Sequence, residues 1–353
     1  MGKVCRIYIA EGDGGMAHPV WFSKIDEFGT IIVGNPLVIA LNQGVVDGIA
    51  SALRAAEQDD SVKAVILMTL GRTFVAGVDV NKFRKAMSGY KRHEGLLHSL
   101  LRALEDCPKP VICAIRGFAL GGGLEIAMAC HYRVSAASAQ IGQPEVKLGL
   151  IPGGGGTQRL PKLAGVGRAA KLCSEGDPIG AIEALNWGIL DHILEEEFLP
   201  GILAFARNLI TKDSPIRKTR DLAVKFRDEA TNAEALAAAR RLAQKRSRGQ
   251  MAPLKAIDAI EAATRLSFEE GCRRENELFN ECLASDQSKA LIHVFFADIM
   301  NAMQPQELGS RFSGQDLGHA RCDELLVIHV VDVVLFQFVF QLHEPPCRRF
   351  RVR

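Results

Sequence analysis

From residue 30 onward, short apolar runs alternate with stretches of helical period. Residues 30–34 read as a short apolar strand. Gln43–Gln58 sets Val46, Ile49, Ala50, Leu53 and Ala56 on one face, the spacing of an amphipathic helix. Residues 64–70 are continuously apolar, the pattern of a strand buried on both faces, and a glycine turn follows at 71–77. Residues 93–105 predict a helix, stopped by Cys107-Pro108-Lys109-Pro110, and 111–116 predict another buried strand. Alternation of this kind predicts an α/β fold. Two of the strands end in glycine turns that carry an acid, Asp79 in one and Glu125 in the other, so chemistry gathers where strands hand over to helices.

After Gly165 the pattern turns mostly helical. Helices are expected over 167–173, Ala181–Trp187, 199–209, 232–248 and 253–266. Ser267 and Glu270 form a capping box for a further helix through Leu283, and Asp286 caps one over 288–297. Near residue 298 the composition breaks. Residues 304–323 are polar, and 325–342 are β-branched and apolar with Asp332 inside. As a membrane span that run is short, and Asp332 would cost about 2.5–3.5 kcal/mol near the bilayer centre, so a strand-like, aggregation-prone tail is the expectation. At the other end, 6–10 has strand character. Gly12, Gly14 and Ala17 match the spacing of a dinucleotide fingerprint, but His18-Pro19 stands where its helix should run.

The composition, 48% hydrophobic and 24% charged, suits a large buried core, and a net charge of +2 gives no basic field for nucleic acid. The nine cysteines show neither CxxC pairs nor zinc spacing; they read as reduced, buried small hydrophobes rather than metal ligands. With no secretory leader and no peroxisomal C-terminal tripeptide, the expected location is cytoplasmic.

The chemistry concentrates between residues 117 and 159. Gly121, Gly122 and Gly123 run into a helix that begins at Gly123 or Leu124 and carries Glu125 in its first turn. Glu145 follows in a Gly-Gln-Pro-Glu turn, and Gly153 to Gly156 form a second glycine loop. Glycine at this density adds no packing and is spent where backbone must approach something closely. Helix-start amides lack intrahelical acceptors, so the N–H of Gly122 is a candidate donor to a carbonyl oxygen. A second donor is expected in the glycine turn 74–79. Either glutamate alone reads as well as a helix cap or a solvated turn acid. Facing each other, they hold a water between an acid and a base, because two close carboxylates do not both ionise easily. That arrangement suits adding water across a double bond next to a polarised carbonyl.

Gly117-Phe-Ala-Leu-Gly-Gly-Gly-Leu-Glu125, the run from Gly142-Gln-Pro-Glu145 to Gly-Gly-Gly-Gly-Thr-Gln-Arg-Leu160, and Phe74-Val-Ala-Gly-Val-Asp79 resemble the enoyl-CoA hydratase/isomerase (crotonase) family, from about residue 30 to 297. Cys130-His-Tyr-Arg133 and the run 278–290 are similar to the hydratase half of bifunctional enoyl-CoA hydratase/3-hydroxyacyl-CoA dehydrogenases. The resemblance implies an α/β spiral of ββα repeats with a C-terminal helical region over an acyl pocket. Its domains are an unassigned segment 1–25, a crotonase core 26–200, helices 201–297, and an atypical tail 298–353 without a dehydrogenase domain. It implies that Glu145 protonates the α-carbon, Glu125 activates water, and the N–H groups of Val78 and Gly122 form the oxyanion hole. Ala76, Val78, Asp79, Val80, Asn81 and Gly122 match the positions that bind the CoA thioester; Asp79 also reads as structural. Ile39 and Asn81 depart from the asparagine and lysine common at their positions, and Val78 from an alanine, which touches CoA contacts rather than chemistry.

The activity this implies is syn hydration of trans-2-enoyl-CoA to 3-hydroxyacyl-CoA in fatty acid β-oxidation. Alternatives are an enoyl-CoA isomerase using Glu145 alone and a non-catalytic acyl-CoA-binding remnant of a bifunctional protein. No metal and no separate cofactor are expected, since CoA belongs to the substrate and no strand followed by GxGxxG supplies an NAD site. The expected partner is an acyl-CoA thioester, with no nucleic acid or membrane span, in a monomer or a trimer-based homo-oligomer.

Overall fold

The computed structural model describes residues 19–34, 41–71, 73–75, 95–195, 197–224, 229–247 and 249–302. The chain divides into two compact units, Met1–Ile292 and His293–Arg353. The fold below is that of the first. The second contributes described residues only as part of a helix, Asp286–Ala302.

A six-stranded sheet runs in the order β1-β2-β3-β4-β6-β9, from Val20–Ile25, Phe28–Val33, Ala64–Thr69, Val111–Ile115, Tyr132–Ala136 and His192–Leu194. β1 and β2 pair antiparallel; the other neighbours pair parallel. β3 and β4 are buried on both faces, as their nearly unbroken apolar runs require. Ala64, Ile66, Ile112, Ala114, Tyr132 and Val134 pack with Ile202, Ala206 and Leu209 of the helix Phe198–Thr211. A second, three-stranded sheet joins β5 (Phe118–Leu120), β7 (Gln140–Gly142) and β8 (Ile179–Gly180).

Helix α1 is Gln43–Gln58, with the Asn42 side chain accepting from the Val45 amide at its start. Helix α2 is Gly95–Asp106 and α3 is Gly122–Ala129. Next come a 3₁₀ turn, Pro144–Leu148, then α4 (Gly156–Ala164), α5 (Val166–Glu175) and α6 (Ala181–Trp187). Counting Phe198–Thr211 as α7, the C-terminal helices are α8 (Glu229–Arg246), α9 (Ala252–Ala262) and α10 (Phe268–Ala284), with Asp286–Ala302 as α11. The α/β fold and the helical C-terminal region are those expected. The expected helices are present, each with bounds near those read from the pattern.

Six strands escaped the pattern: β1, β5, β6, β7, β8 and β9, of which β5, β7, β8 and β9 have two or three residues each, too few to show a period. α4 was also missed, because it starts in glycines and contains Pro161. The strand-like run 6–10 and the tail run 325–342 lie outside the described residues. Among the described residues no helix is long and apolar enough to cross a membrane, and no group of His, Cys, Asp or Glu side chains is set to hold a metal ion. Cys107, Cys113, Cys130, Cys173 and Cys282 are buried, and burial pushes the Cys107 and Cys282 thiols up to about 12.

Candidate active site

Helix α3 is buried along its whole length and begins one residue earlier than the pattern suggested, at Gly122. As the first helical residue, Gly122 has an N–H with no acceptor within the helix. The preceding Gly121 takes φ 54°. The turn after β3 comes in close beside it: Val75 bridges Ala119, and the Leu120 amide donates to Val75 O at 3.0 Å. A β-carbon on Gly123 would stand 2.2 Å from that same carbonyl oxygen, so only glycine lets the turn and the helix start meet. The sequence-predicted residues Ala76, Val78, Asp79, Val80 and Asn81, and Ile39, lie outside the described residues. Val75, the last described residue before them, lies against the start of α3.

Glu125, at the fourth position of α3, is 2% exposed. Its Oε1 accepts from the amides of Gly154 at 2.6 Å and Gly156 at 3.0 Å. A β-carbon on Gly154 would lie 2.5 Å from Glu125 Oε2. The second glycine loop is therefore a cradle for this carboxylate. Burial pushes Glu125 above the usual carboxylate range, while the two amides, His98 and Arg159 pull it back.

Glu145 sits in the first turn of the 3₁₀ segment and is partly exposed. With its amide nitrogen facing the acid, the buried Gln143 donates to both Glu145 oxygens, at 3.0 and 3.1 Å. Desolvation pushes Glu145 well above the usual range, and the charges of Glu125 and Glu275 push the same way. The two acids share a neighbourhood: a β-carbon on Gly156 would stand 2.7 Å from the Gln143 side-chain amide and 2.9 Å from Glu125 Oε1. The structure thus brings Gly122, Glu125 and Glu145 together.

Sequence reasoning missed a third acid. Glu275 of α10 is fully buried and accepts from the Gly155 amide (2.6 Å), the Thr157 amide (2.9 Å) and Thr157 Oγ1 (2.5 Å). Burial and the Glu125 charge push it up to about 8 against these hydrogen bonds. The signal was its place in α10, on the same stripe as Gly271, Leu278, Phe279 and Cys282. Arg159, quoted in the motif without a task, pairs with the buried Glu105 at 2.7 Å and donates to Gly154 O at 3.0 Å. It thereby ties the loop to Glu105 of α2. A cavity of about 380 Å³ opens there among His98, Glu105, Arg159, Arg220 and Cys272; neither Glu125 nor Glu145 lines it.

The family model for enoyl-CoA hydratase/isomerase matches residues 29–246, and the chain belongs to this family. The chain is 38% identical over 267 residues to the peroxisomal bifunctional enzyme of Danio rerio, an overlap of 76% of this chain and 36% of that protein. It therefore spans little more than a third of the length of such bifunctional relatives. It is 40% identical over 177 residues to the probable enoyl-CoA hydratase of Bacillus subtilis (strain 168), 49% of this chain and 68% of that one. The crystal structure of an enoyl-CoA hydratase from Mycobacterium avium subsp. paratuberculosis K-10 shares the fold, with a TM-score of 0.57 at 22% identity over 79% of this chain and 99% of that one. The expected cytoplasmic location does not stand: the bifunctional relatives of Danio rerio, Cavia porcellus and Homo sapiens are peroxisomal. Organelle addresses of this kind are short signals read by receptors, so reduced cysteines and a near-neutral charge do not separate the two compartments.

Proposed function

We propose that the chain is an enoyl-CoA hydratase that adds water to a trans-2-enoyl-CoA to give a 3-hydroxyacyl-CoA, in a peroxisomal or equivalent compartment. The observation that carries this reading is the pairing of two unlike carboxylates beside an open helix start. Glu125 is held by two backbone amides, which favours its charged form. Glu145 is pushed up further, by burial and by the charges of Glu125 and Glu275, which favours its protonated form. In the proposed step Glu125 takes a proton from water as the hydroxyl adds to the β-carbon, and Glu145 gives its proton to the α-carbon. One proton thus passes from Glu145 to Glu125 by way of substrate and water, and its return resets the pair. The N–H groups of Gly122 and Val78 are assigned to the thioester oxygen, where negative charge builds during addition. The turn 76–81 is assigned to the CoA portion.

The test is crotonyl-CoA hydration by the full chain. Glu125→Gln and Glu145→Gln are each expected to lower kcat by about three orders of magnitude or more. Activity is expected to fall at acid pH as Glu125 gains a proton and at alkaline pH as Glu145 loses one. Wild-type turnover in both variants would sink the mechanism. Turnover of a 3-enoyl thioester by Glu125→Gln, without hydration by the wild type, would favour an isomerase instead.

A further inference from the structure

Four consecutive amides, from Gly154 to Thr157, are divided between two buried acids. Gly154 and Gly156 donate to Glu125 Oε1, at 2.6 and 3.0 Å. Gly155 and Thr157 donate to Glu275 Oε1 and Oε2, at 2.6 and 2.9 Å. The alternation follows from the backbone: Gly155 takes φ 86°, so successive N–H groups turn to opposite sides. Thr157 Oγ1 adds a third bond to Glu275 at 2.5 Å. That hydroxyl accepts from Gln158 Nε2 at 2.7 Å, and the same nitrogen donates to Ala259 O of α9 at 2.9 Å. Glu275 is itself fully buried on α10, among Leu278, Phe279 and Cys282.

A loop of four glycines has no side chains with which to hold itself and the largest backbone freedom of any sequence. Its inner amides stay aimed at Glu125 only while something fixes the loop from outside. We propose that Glu275 is a positioning residue: it clamps Gly155 and Thr157 so that the Gly154 and Gly156 amides remain directed at Glu125 Oε1. Its place on α10 makes the helical cover a working part of the site. The kinetic consequence rests on the hydratase reading; the structural consequence stands on the hydrogen bonds alone.

The experiment compares the full-length wild type with Glu275→Gln. Glutamine keeps the shape but turns an NH₂ group towards one of the two amides. On crotonyl-CoA, kcat is expected to fall about tenfold or more with KM within about twofold, because the turns assigned to the thioester are untouched. Added to Glu125→Gln, the second change is expected to cost little further, because both act through one carboxylate. Amide exchange in peptides covering 150–160 is expected to quicken about tenfold in Glu275→Gln, while peptides from α1 keep their protection. If that variant does not fold, Thr157→Val, which removes the hydroxyl bond to Glu275 and one acceptor of Gln158 Nε2 but keeps the backbone amides, is expected to move both readouts in the same direction by a smaller factor. A folded Glu275→Gln with wild-type kcat and wild-type exchange overturns the proposal, as does an unchanged Thr157→Val where Glu275→Gln fails to fold. If the wild type shows no hydration, the hydratase reading fails and the exchange result alone decides for or against the clamp.

Discussion

Two regions of the molecule meet at the glycine loop, and they carry their function in different ways. The turn at 117–129 carries it in residue identity. Gly123 has no room for a β-carbon against Val75, and Glu125 lies within reach of the amides of Gly154 and Gly156. Helix α10 carries it in the placement of one residue. Glu275 is a common helix former in a polar helix, distinguished only by lying on the buried stripe. The first region is intolerant at many positions; the second is intolerant at few and is otherwise an ordinary amphipathic helix. A site assembled this way takes its reacting groups from turns and its rigidity from a helix far along the chain.

The largest effects are expected where the first region meets the glycine loop. Gly154→Ala places a β-carbon 2.5 Å from Glu125 Oε2 and 2.8 Å from its carboxyl carbon, so carboxylate and loop must separate. Hydration is expected to fall about a hundredfold or more, with KM little changed, since a displacement of about 1 Å at a reacting group costs on that order. Measured kcat near that of the wild type would show that the loop does not set the carboxylate's position. Gly123→Ala meets backbone instead, 2.2 Å from Val75 O. Overpacking of this kind costs about 1–3 kcal/mol, and urea unfolding is expected to show the loss together with reduced activity.

The same contrast decides how much was legible in the sequence. Gly122, Glu125 and Glu145 stand out as candidates because glycines beside acids are unusual in an apolar stretch, and their identities point to backbone approach. The helices were found because each repeats its apolar face over two turns or more, as α1 does with Val46, Ile49, Leu53 and Ala56. β5, β7 and β8 have two or three residues, and what defines them is pairing with segments about twenty to forty residues away, which no local pattern encodes. α4 looked like loop because glycines start it and Pro161 interrupts it. Glu275 stayed hidden because a single acid on a helical stripe becomes informative only when its acceptors are filled by named amides. Arg159 was visible in the motif, but its partner Glu105 lies on another helix.

A pH experiment probes the buried acids on both sides at once. Glu125, Glu145 and Glu275 are raised in the folded chain, chiefly by burial. A carboxyl raised by folding contributes stability in full below its ordinary value of 4.5, and loses it as pH climbs through the folded value, about 8 for Glu275. Asp106, lowered to about 2 by Arg220 and Lys218, acts at the acid end and loses its contribution as pH falls through that value. His131, lowered by burial, also loses its contribution as pH falls below 6.5. Comparing wild type with Glu275→Gln isolates one acid. Between about pH 5 and about pH 8 the wild type is expected to lose on the order of a few kcal/mol relative to the variant. A difference in unfolding free energy that stays flat across this range would mean that Glu275 is ionised throughout.

The smallest effect sharpens the comparison most, because it loosens the helix without touching the loop. Ser267 caps α10 with a complete capping box: its side chain accepts from the Glu270 amide, and the Glu270 side chain accepts from the Ser267 amide. Ser267→Ala is expected to cost about 1 kcal/mol, visible as a lowered unfolding midpoint. Glu275 lies eight residues further on, two turns into the helix and clamped by three hydrogen bonds, so fraying at the start does not reach it. Hydration by Ser267→Ala is therefore expected to stay within about twofold of the wild type at temperatures where both are folded. If its kcat fell in step with its stability, the register of α10 would be set from its first turn, and the clamp on the glycine loop would belong to the whole helix rather than to Glu275.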